Sequence, residues 1–140
     1  MRWHISHRAD RRALPLANRH YTRQSPDSPQ FVPPGRCLVL LTADADALWV
    51  TSWPFAQFVK HDWAGAWVCS LFRNESSSLS SDLIREAVAA TRAAFGDPPT
   101  FGFVTFIDPG KVRRKRDWGL CYRHAGWQPC GRTKGGLFAL

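Results

Sequence analysis

TFGFVTFIDPGKV, residues 100–112, and GLCYRHAGWQPCGRTKGGLFAL, residues 119–140, decide the fold. The first is an apolar run closed by Asp108-Pro109-Gly110, a turn signature in which proline presets φ and glycine accepts a positive φ. It predicts a strand over 101–107. In the second, 117–125 reads as a short helix that leaves through a bend at Gly126-Trp127, and 128–132 and 136–140 read as terminal strands. Between the two lies the basic segment Lys111-Val112-Arg113-Arg114-Lys115-Arg116.

Upstream, Leu83, Ile84, Ala87, Val88, Thr91, Ala94 and Phe95 recur at helical spacing, and Gly96-Asp97-Pro98-Pro99 stops the pattern. A helix is predicted to start near Ser80, with Ser76 to Ser81 supplying side-chain caps for its orphan N–H groups. AGAWVCSLFRNES, residues 64–76, reads as a strand with Trp67, Cys69 and Leu71 on one face and Val68, Ser70 and Phe72 on the other. Two apolar runs, 37–42 and 47–53, flank Ala43-Asp44-Ala45-Asp46 and read as a β-hairpin ended by Pro54. Residues 22–36 hold four prolines, which bar a helix or central strand and leave a loop. Residues 1–19 read as a short basic helix or arm. The order hairpin, strand, helix, strand, helix, strand predicts a single α/β domain over 1–140, a core at 37–140 preceded by arm and loop at 1–36.

The chain has 140 residues, which suits one core. Nineteen Lys and Arg against eleven Asp and Glu give a formal charge of +8, which draws polyanions and makes nucleic acid the natural partner. Seven Trp and nine Phe exceed what a small core needs. Trp53, Trp63 and Trp118 are therefore candidates to stack on a base, with packing as the plainer use of each. Cys37, Cys69, Cys121 and Cys130 form no C-x-x-C pair and read as reduced, buried thiols. No stretch approaches the ~20 apolar residues of a membrane span, so the expectation is a soluble, cytoplasmic chain with no membrane partner.

The C-terminal pattern, a tyrosine on a short helix, then Ala-Gly-aromatic, then a short extended segment ending in Gly-Arg, resembles the C-terminal half of GNAT acyltransferases. That resemblance, over roughly 37–138, implies a GNAT-like α/β fold: a mixed, mostly antiparallel twisted sheet flanked by helices, with Tyr122 as general acid beside an acyl-CoA cleft. Where GNAT enzymes read Arg or Gln, two residues, Gly, one residue, Gly or Ala, this chain reads Arg73-Asn74-Glu75-Ser76-Ser77-Ser78. The arginine and the helix N-terminus are kept and both glycines are absent. The resemblance implies that Arg73, Ser76, Ser77 and Ser78 hold the phosphates of acetyl-CoA or a related acyl-CoA.

More closely, Arg-Asn-Glu before a serine-rich helix start, an N-terminal His-Tyr pair, a strand ending in Asp-Pro, a basic stretch and Cys-Tyr resemble, from about residue 18 onward, the Mom family of bacteriophage DNA-modification proteins. Those GNAT-like proteins convert adenine in phage DNA to a carbamoylmethyl derivative that protects it from restriction. The resemblance implies a catalytic set of His20, Tyr21, Arg73, Asn74, Glu75, Asp108 and Tyr122, acting in the cytoplasm of a host bacterium. An exocyclic amine is a weak nucleophile because its lone pair is delocalised, so a base is needed, and His20, Glu75 and Asp108 are candidates. Arg19, Arg23, Lys111, Arg113, Arg114, Lys115 and Arg116 are expected to meet DNA phosphates, with a base flipped from the duplex or taken from an opened strand. A metal such as iron is compatible with His20 and Glu75 or Asp108, although no local spacing supports one. The sequence leaves room for a homodimer. Two other readings stay open: an acyl-CoA-dependent N-acetyltransferase acting on tRNA, protein or a small amine, and a non-catalytic basic nucleic-acid-binding module.

Overall fold

A computed structural model describes residues 2–19, 32, 35–53, 63–107, 120–132 and 138–139. Its elements are β1 (Trp3–Ile5), α1 (Leu14–Asn18), β2 (Arg36–Thr42), β3 (Ala47–Trp53), β4 (Trp67–Asn74), α2 (Ser80–Phe95), β5 (Phe103–Ile107), α3 (Leu120–His124), β6 (Gly131–Arg132) and β7 (Phe138–Ala139). The order across the sheet is β1-β2-β3-β4-β5-β7-β6. The five strands β1 to β5 form its body, and neighbours run antiparallel except β4 and β5. The two-residue strands β7 and β6 continue it beyond the far end of β5. The parallel pair follows from the crossover, because β4 returns to β5 through α2.

The hairpin forms as its two apolar runs require, and Thr42 closes it. The Thr42 Oγ1 accepts from the amides of Asp46 at 3.1 Å and Ala47 at 3.0 Å and donates to the Asp46 carboxylate at 2.6 Å. Ala45 pays for the tight bend with a φ of 56°. The helix α2 starts at Ser80 and ends at Phe95, before Gly96 at φ 86°. Its N-cap is Leu79, and no side chain caps it; the expected serine caps are not used, because Ser76 and Ser80 bond to Asn74 instead. Leu83, Ile84, Ala87 and Thr91 are buried as the periodicity predicts, whereas Ala94 is exposed on the last turn.

Residues 1–36 are more than an arm. Trp3 is 4% exposed on β1, and its indole N–H donates to the Leu83 carbonyl of α2 at 2.8 Å. Leu16 and Ala17 of α1 are buried against Val39, Leu41, Leu48, Val50 and Leu71 on the other side of the sheet. The sheet is thus covered on both faces: α1 lies on one, and α2 with α3 lies on the other, over Leu38, Leu40, Trp49, Cys69 and Ile107.

The strand β4 departs from simple alternation. The register pairs Val50 with Leu71 but Thr51 with Cys69, so Ser70 is an extra residue, a β-bulge. Trp67 and Cys69 share one face, as expected, and it is the face toward α2. Past the bulge the parity reverses: Leu71 packs on the α1 side, and Phe72 stacks on Trp49 with ring centroids 5.4 Å apart.

All four cysteines are free thiols; Cys69 is buried, Cys37 and Cys121 are half-buried, and Cys130 is exposed, against the expectation that it lies inside. Trp53 packs against Trp67 and Phe95, and Trp63 against Phe106. Trp118 lies outside the described residues. No described helix is long and apolar enough to cross a membrane.

Candidate functional site

Two segments far apart in sequence meet at the C-terminal end of β4. Glu75 takes both guanidinium donors of Arg19, at 2.7 and 2.9 Å, and the Nε of Arg73 at 2.7 Å. Arg73 also donates to the Arg19 carbonyl at 3.1 Å. Arg19 is the residue that ends α1, so this fork anchors the end of that helix to β4. The bidentate geometry is what a planar guanidinium imposes on a carboxylate. The two arginines, Arg19 first, hold the Glu75 carboxyl below the usual carboxylate range. In that state Glu75 ties two cations together.

Asn74 organises the turn that follows. Its Oδ1 accepts from the Ser76 amide at 2.9 Å and the Ser76 hydroxyl at 2.5 Å. Its Nδ2 donates to the Ser78 carbonyl and the Ser80 hydroxyl at 2.8 and 2.9 Å. Ser76 Oγ in turn accepts from the Ser78 amide at 3.1 Å. These bonds give an Asn-braced turn in place of the glycine-rich one. The side chain of Asn74 is thereby committed to structure, and Ser76 is half engaged, whereas the Ser77 hydroxyl bonds to none of the described residues.

Next to this turn, the parallel pairing of β4 with β5 ends at Cys69 opposite Thr105. β4 runs on to Asn74, and β5 turns its last two residues to β7. The two strands therefore part beside Tyr122. Tyr122 sits on α3 with its ring against Trp49, Phe72 and Trp127 and its hydroxyl 3.4 Å from the Cys69 sulfur. Burial raises the Tyr122 pKa well above its ordinary value, and burial pushes the Cys69 thiol up to about 12. Both groups are neutral at physiological pH.

The α3 exit is built from backbone. The Trp127 amide donates to the Tyr122 carbonyl at 3.0 Å and the Gly126 amide to that of Arg123 at 2.9 Å, with Gly126 at φ 97°. This is the Schellman pattern, completed by the contact of Tyr122 and Trp127 rings, 5.2 Å apart. The bend expected at Gly126-Trp127 is present for that reason.

Of the sequence-derived candidates, Arg19, Arg73 and Glu75 are in one fork, and Asn74 and Ser76 to Ser78 form the adjoining turn. His20, Tyr21, Arg23, Asp108, Lys111, Arg113, Arg114, Lys115 and Arg116 lie outside the described residues. No group of three or more His, Cys, Asp or Glu able to hold a metal occurs among the described residues. Sequence reading missed a cleft of about 670 Å³ between α2, the start of β5 and the segment after α3. The density of aromatic residues was its only local signal. Comparison of the chain with protein-family models, curated proteins and solved structures found no match in any of the three.

Proposed function

We propose that this chain is a GNAT-like transferase that modifies the exocyclic amine of adenine in DNA, a counter-restriction activity of the kind the Mom resemblance implies. The observation that carries the reading is the Arg19–Glu75–Arg73 fork. It ties Arg19, the residue before His20 in the sequence, to Glu75, 56 positions further on, and through Glu75 to Arg73 at one end of β4. The order of elements from the β2–β3 hairpin onward, with β4 and β5 parting beside Tyr122, also favours it. The net charge of +8 suits a polyanionic substrate.

In this reading the amine nitrogen forms a bond to the transferred group while the donor's bond to its leaving group breaks. The amine proton passes to a base, and the leaving thiolate of an acyl-CoA donor receives the proton of Tyr122. Glu75 is held as an ion-paired carboxylate, so the base falls to His20 or Asp108. Ser77, Ser78 and the uncapped start of α2 offer hydroxyl and amide donors to donor phosphates. Whether the product carries an acyl or a carbamoylmethyl group is read directly from its mass.

The test is nucleoside mass spectrometry of DNA from cells expressing the chain. A mass-shifted deoxyadenosine is expected with the wild type and not with Tyr122→Phe or Arg73→Ala, each shown to be folded by circular dichroism. An unmodified adenine pool from soluble, folded wild type refutes the proposal. Acetyl transfer to tRNA or protein under those conditions points to the N-acetyltransferase alternative, and salt-dependent DNA binding without a product to a binding module.

A further inference from the structure

The cleft beyond α3 is chemically unlike the fork at β4. Four aromatic rings line it: Trp63, Phe101, Phe103 and Trp127. Phe101 is 55% exposed, a large apolar ring left facing solvent. Its backbone is nevertheless held. The Gly102 amide closes the turn onto the Pro99 carbonyl at 2.8 Å, and the Gly102 carbonyl accepts from the Trp67 amide at 2.9 Å. The Schellman end of α3 fixes Trp127, whose ring also packs on Phe103 at 5.1 Å. Both lining rings are thus presented by hydrogen-bonded backbone, the condition for a stacking platform that costs little ordering on binding.

The polar groups narrow the ligand. Arg85, Thr100 and Gln128 join the rings in the lining, and among the described residues no carboxylate does. Arg85, in the lining of the same opening, is held by Asp82 at 3.1 Å and by a bond to the His124 carbonyl. Gln128 is exposed and offers one donor and one acceptor from a planar amide. Flat π-faces, an amide that donates and accepts, and a guanidinium with N–H donors beyond those given to Asp82 and His124 fit a planar heteroaromatic with hydrogen-bonding edges and a phosphate attached. A purely aliphatic ligand would use neither the Gln128 amide nor those donors. The volume lies within the range of small-molecule sites and exceeds one base, leaving room for its sugar.

We propose that this cleft binds a nucleobase carried on a single nucleic acid strand, with the base against Phe101 and Trp127, its edge on Gln128 and its phosphate near Arg85. The proposal is independent of any chemistry at Tyr122 or Arg73. The same ligand chemistry has a second source, a free nucleotide, and the experiment separates the two.

Trp63 and Trp127 make the intrinsic fluorescence a direct probe. The full-length protein is titrated with a short deoxyadenosine oligonucleotide and, separately, with deoxyadenosine monophosphate. Saturable quenching by the oligonucleotide is expected, and Phe101→Ala should weaken it about 5- to 100-fold, the range for loss of one base–aromatic stack. Gln128→Ala should weaken it less and alter the preference among bases. Ile5→Ala, at the opposite edge of the sheet and 78% exposed, should bind as the wild type does. Thermal melts of each variant ensure that folded proteins are compared. Equal affinity for the monophosphate, with the same loss in Phe101→Ala, assigns the cleft to free nucleotides and overturns the strand as the source. Unchanged affinity in both Phe101→Ala and Gln128→Ala, or no quenching by either ligand, overturns the site itself. Because the readout is binding, a chain that leaves adenine unmodified in cells can still pass this test, and a modifying enzyme can fail it.

Discussion

Replacing Thr91 by valine should orphan a proton in the middle of the core. Trp49, Thr51 and Thr91 are each 0% exposed. The Trp49 indole N–H donates to Thr51 Oγ1 at 2.7 Å, the two threonine hydroxyls lie 2.8 Å apart, and Thr91 donates to the Ala87 carbonyl at 2.8 Å. Since the Thr91 proton goes to Ala87, Thr51 must donate to Thr91. The chain therefore runs in one direction, from β3 into α2. Thr91→Val leaves the Thr51 proton without an acceptor, and Thr51→Val leaves the Trp49 indole without one. Each should cost about 1–3 kcal/mol, the penalty for a buried unsatisfied donor. In the double variant only the indole is orphaned, so the total should match Thr51→Val alone, and the singles should fail to add by about 1–3 kcal/mol. Urea unfolding with a slope of roughly 2 kcal/mol/M turns each single cost into a midpoint shift of about 0.5–1.5 M. Additivity within about 0.5 kcal/mol, at unchanged slope, would refute the one-way chain.

Three further outcomes follow from particular side chains. Asp10 is 8% exposed, and the Ser6 hydroxyl at 2.6 Å, with Arg12, lowers its pKa from 3.8 to about 2. A depressed carboxylate pKa adds stability above the unfolded value that is lost as pH falls from about 4 toward 2. Asp10→Asn should therefore be less stable than wild type by up to about 2 kcal/mol at neutral pH, and urea midpoints of the two should converge near pH 2. A gap that persists there contradicts the assignment. Glu75→Gln should change stability by less than about 1 kcal/mol, because the fork is half exposed and screened. By releasing Arg19 and Arg73 it should steepen the salt dependence of DNA binding by up to about one unit of slope, and a shallower slope would count against phosphate contact at the fork. Gly126→Ala adds a Cβ that meets nothing within 4 Å, so its cost is the positive φ alone, about 1–2 kcal/mol in a thermal or urea melt; a neutral result would mean the α3 end re-forms differently.

Local pattern carried α2 and the β2–β3 hairpin because the information sits within the segment: apolar spacing, a glycine stop and a four-residue turn. It did not carry β1. Trp3-His4-Ile5 is too short for a period, and its place depends on pairing with Thr42, Leu41 and Leu40 and on the Trp3 bond to Leu83. It failed at the cap of α2 for a related reason. Serines are good caps in isolation, but Asn74 competes for Ser76 and Ser80 with an amide that can donate and accept at once. The resemblance named Arg73 and Glu75 as candidates, but their shared ion pair with Arg19 was not legible, since Arg19 reaches Glu75 from 56 residues away. The cleft was invisible because its lining comes from four separate stretches of chain.

The bulge at Ser70 links these failures to the site. Strict alternation from Trp67 and Cys69 would place Leu71 and Arg73 on the face covered by α2 and send Phe72 to the α1 side. Arg73 would then be directed away from Arg19 at the end of α1, and Glu75 could not take both guanidinium groups. With one extra residue, Arg73 meets Arg19, while Phe72 turns inward onto Trp49 and Tyr122, 5.4 and 6.2 Å between centroids. Asn74 is carried round to reach Ser78 and Ser80 at the start of α2. The bulge also falls where β4 loses its pairing with β5, one residue past Cys69 and Thr105. A local break in one strand thus sets three features together: the cation fork, the support behind the Tyr122 ring and the parting of the strands beside its hydroxyl. Bulges sit next to sites because an extra residue re-aims side chains without rebuilding the sheet, and here the side chain re-aimed is the arginine on which the proposed chemistry depends.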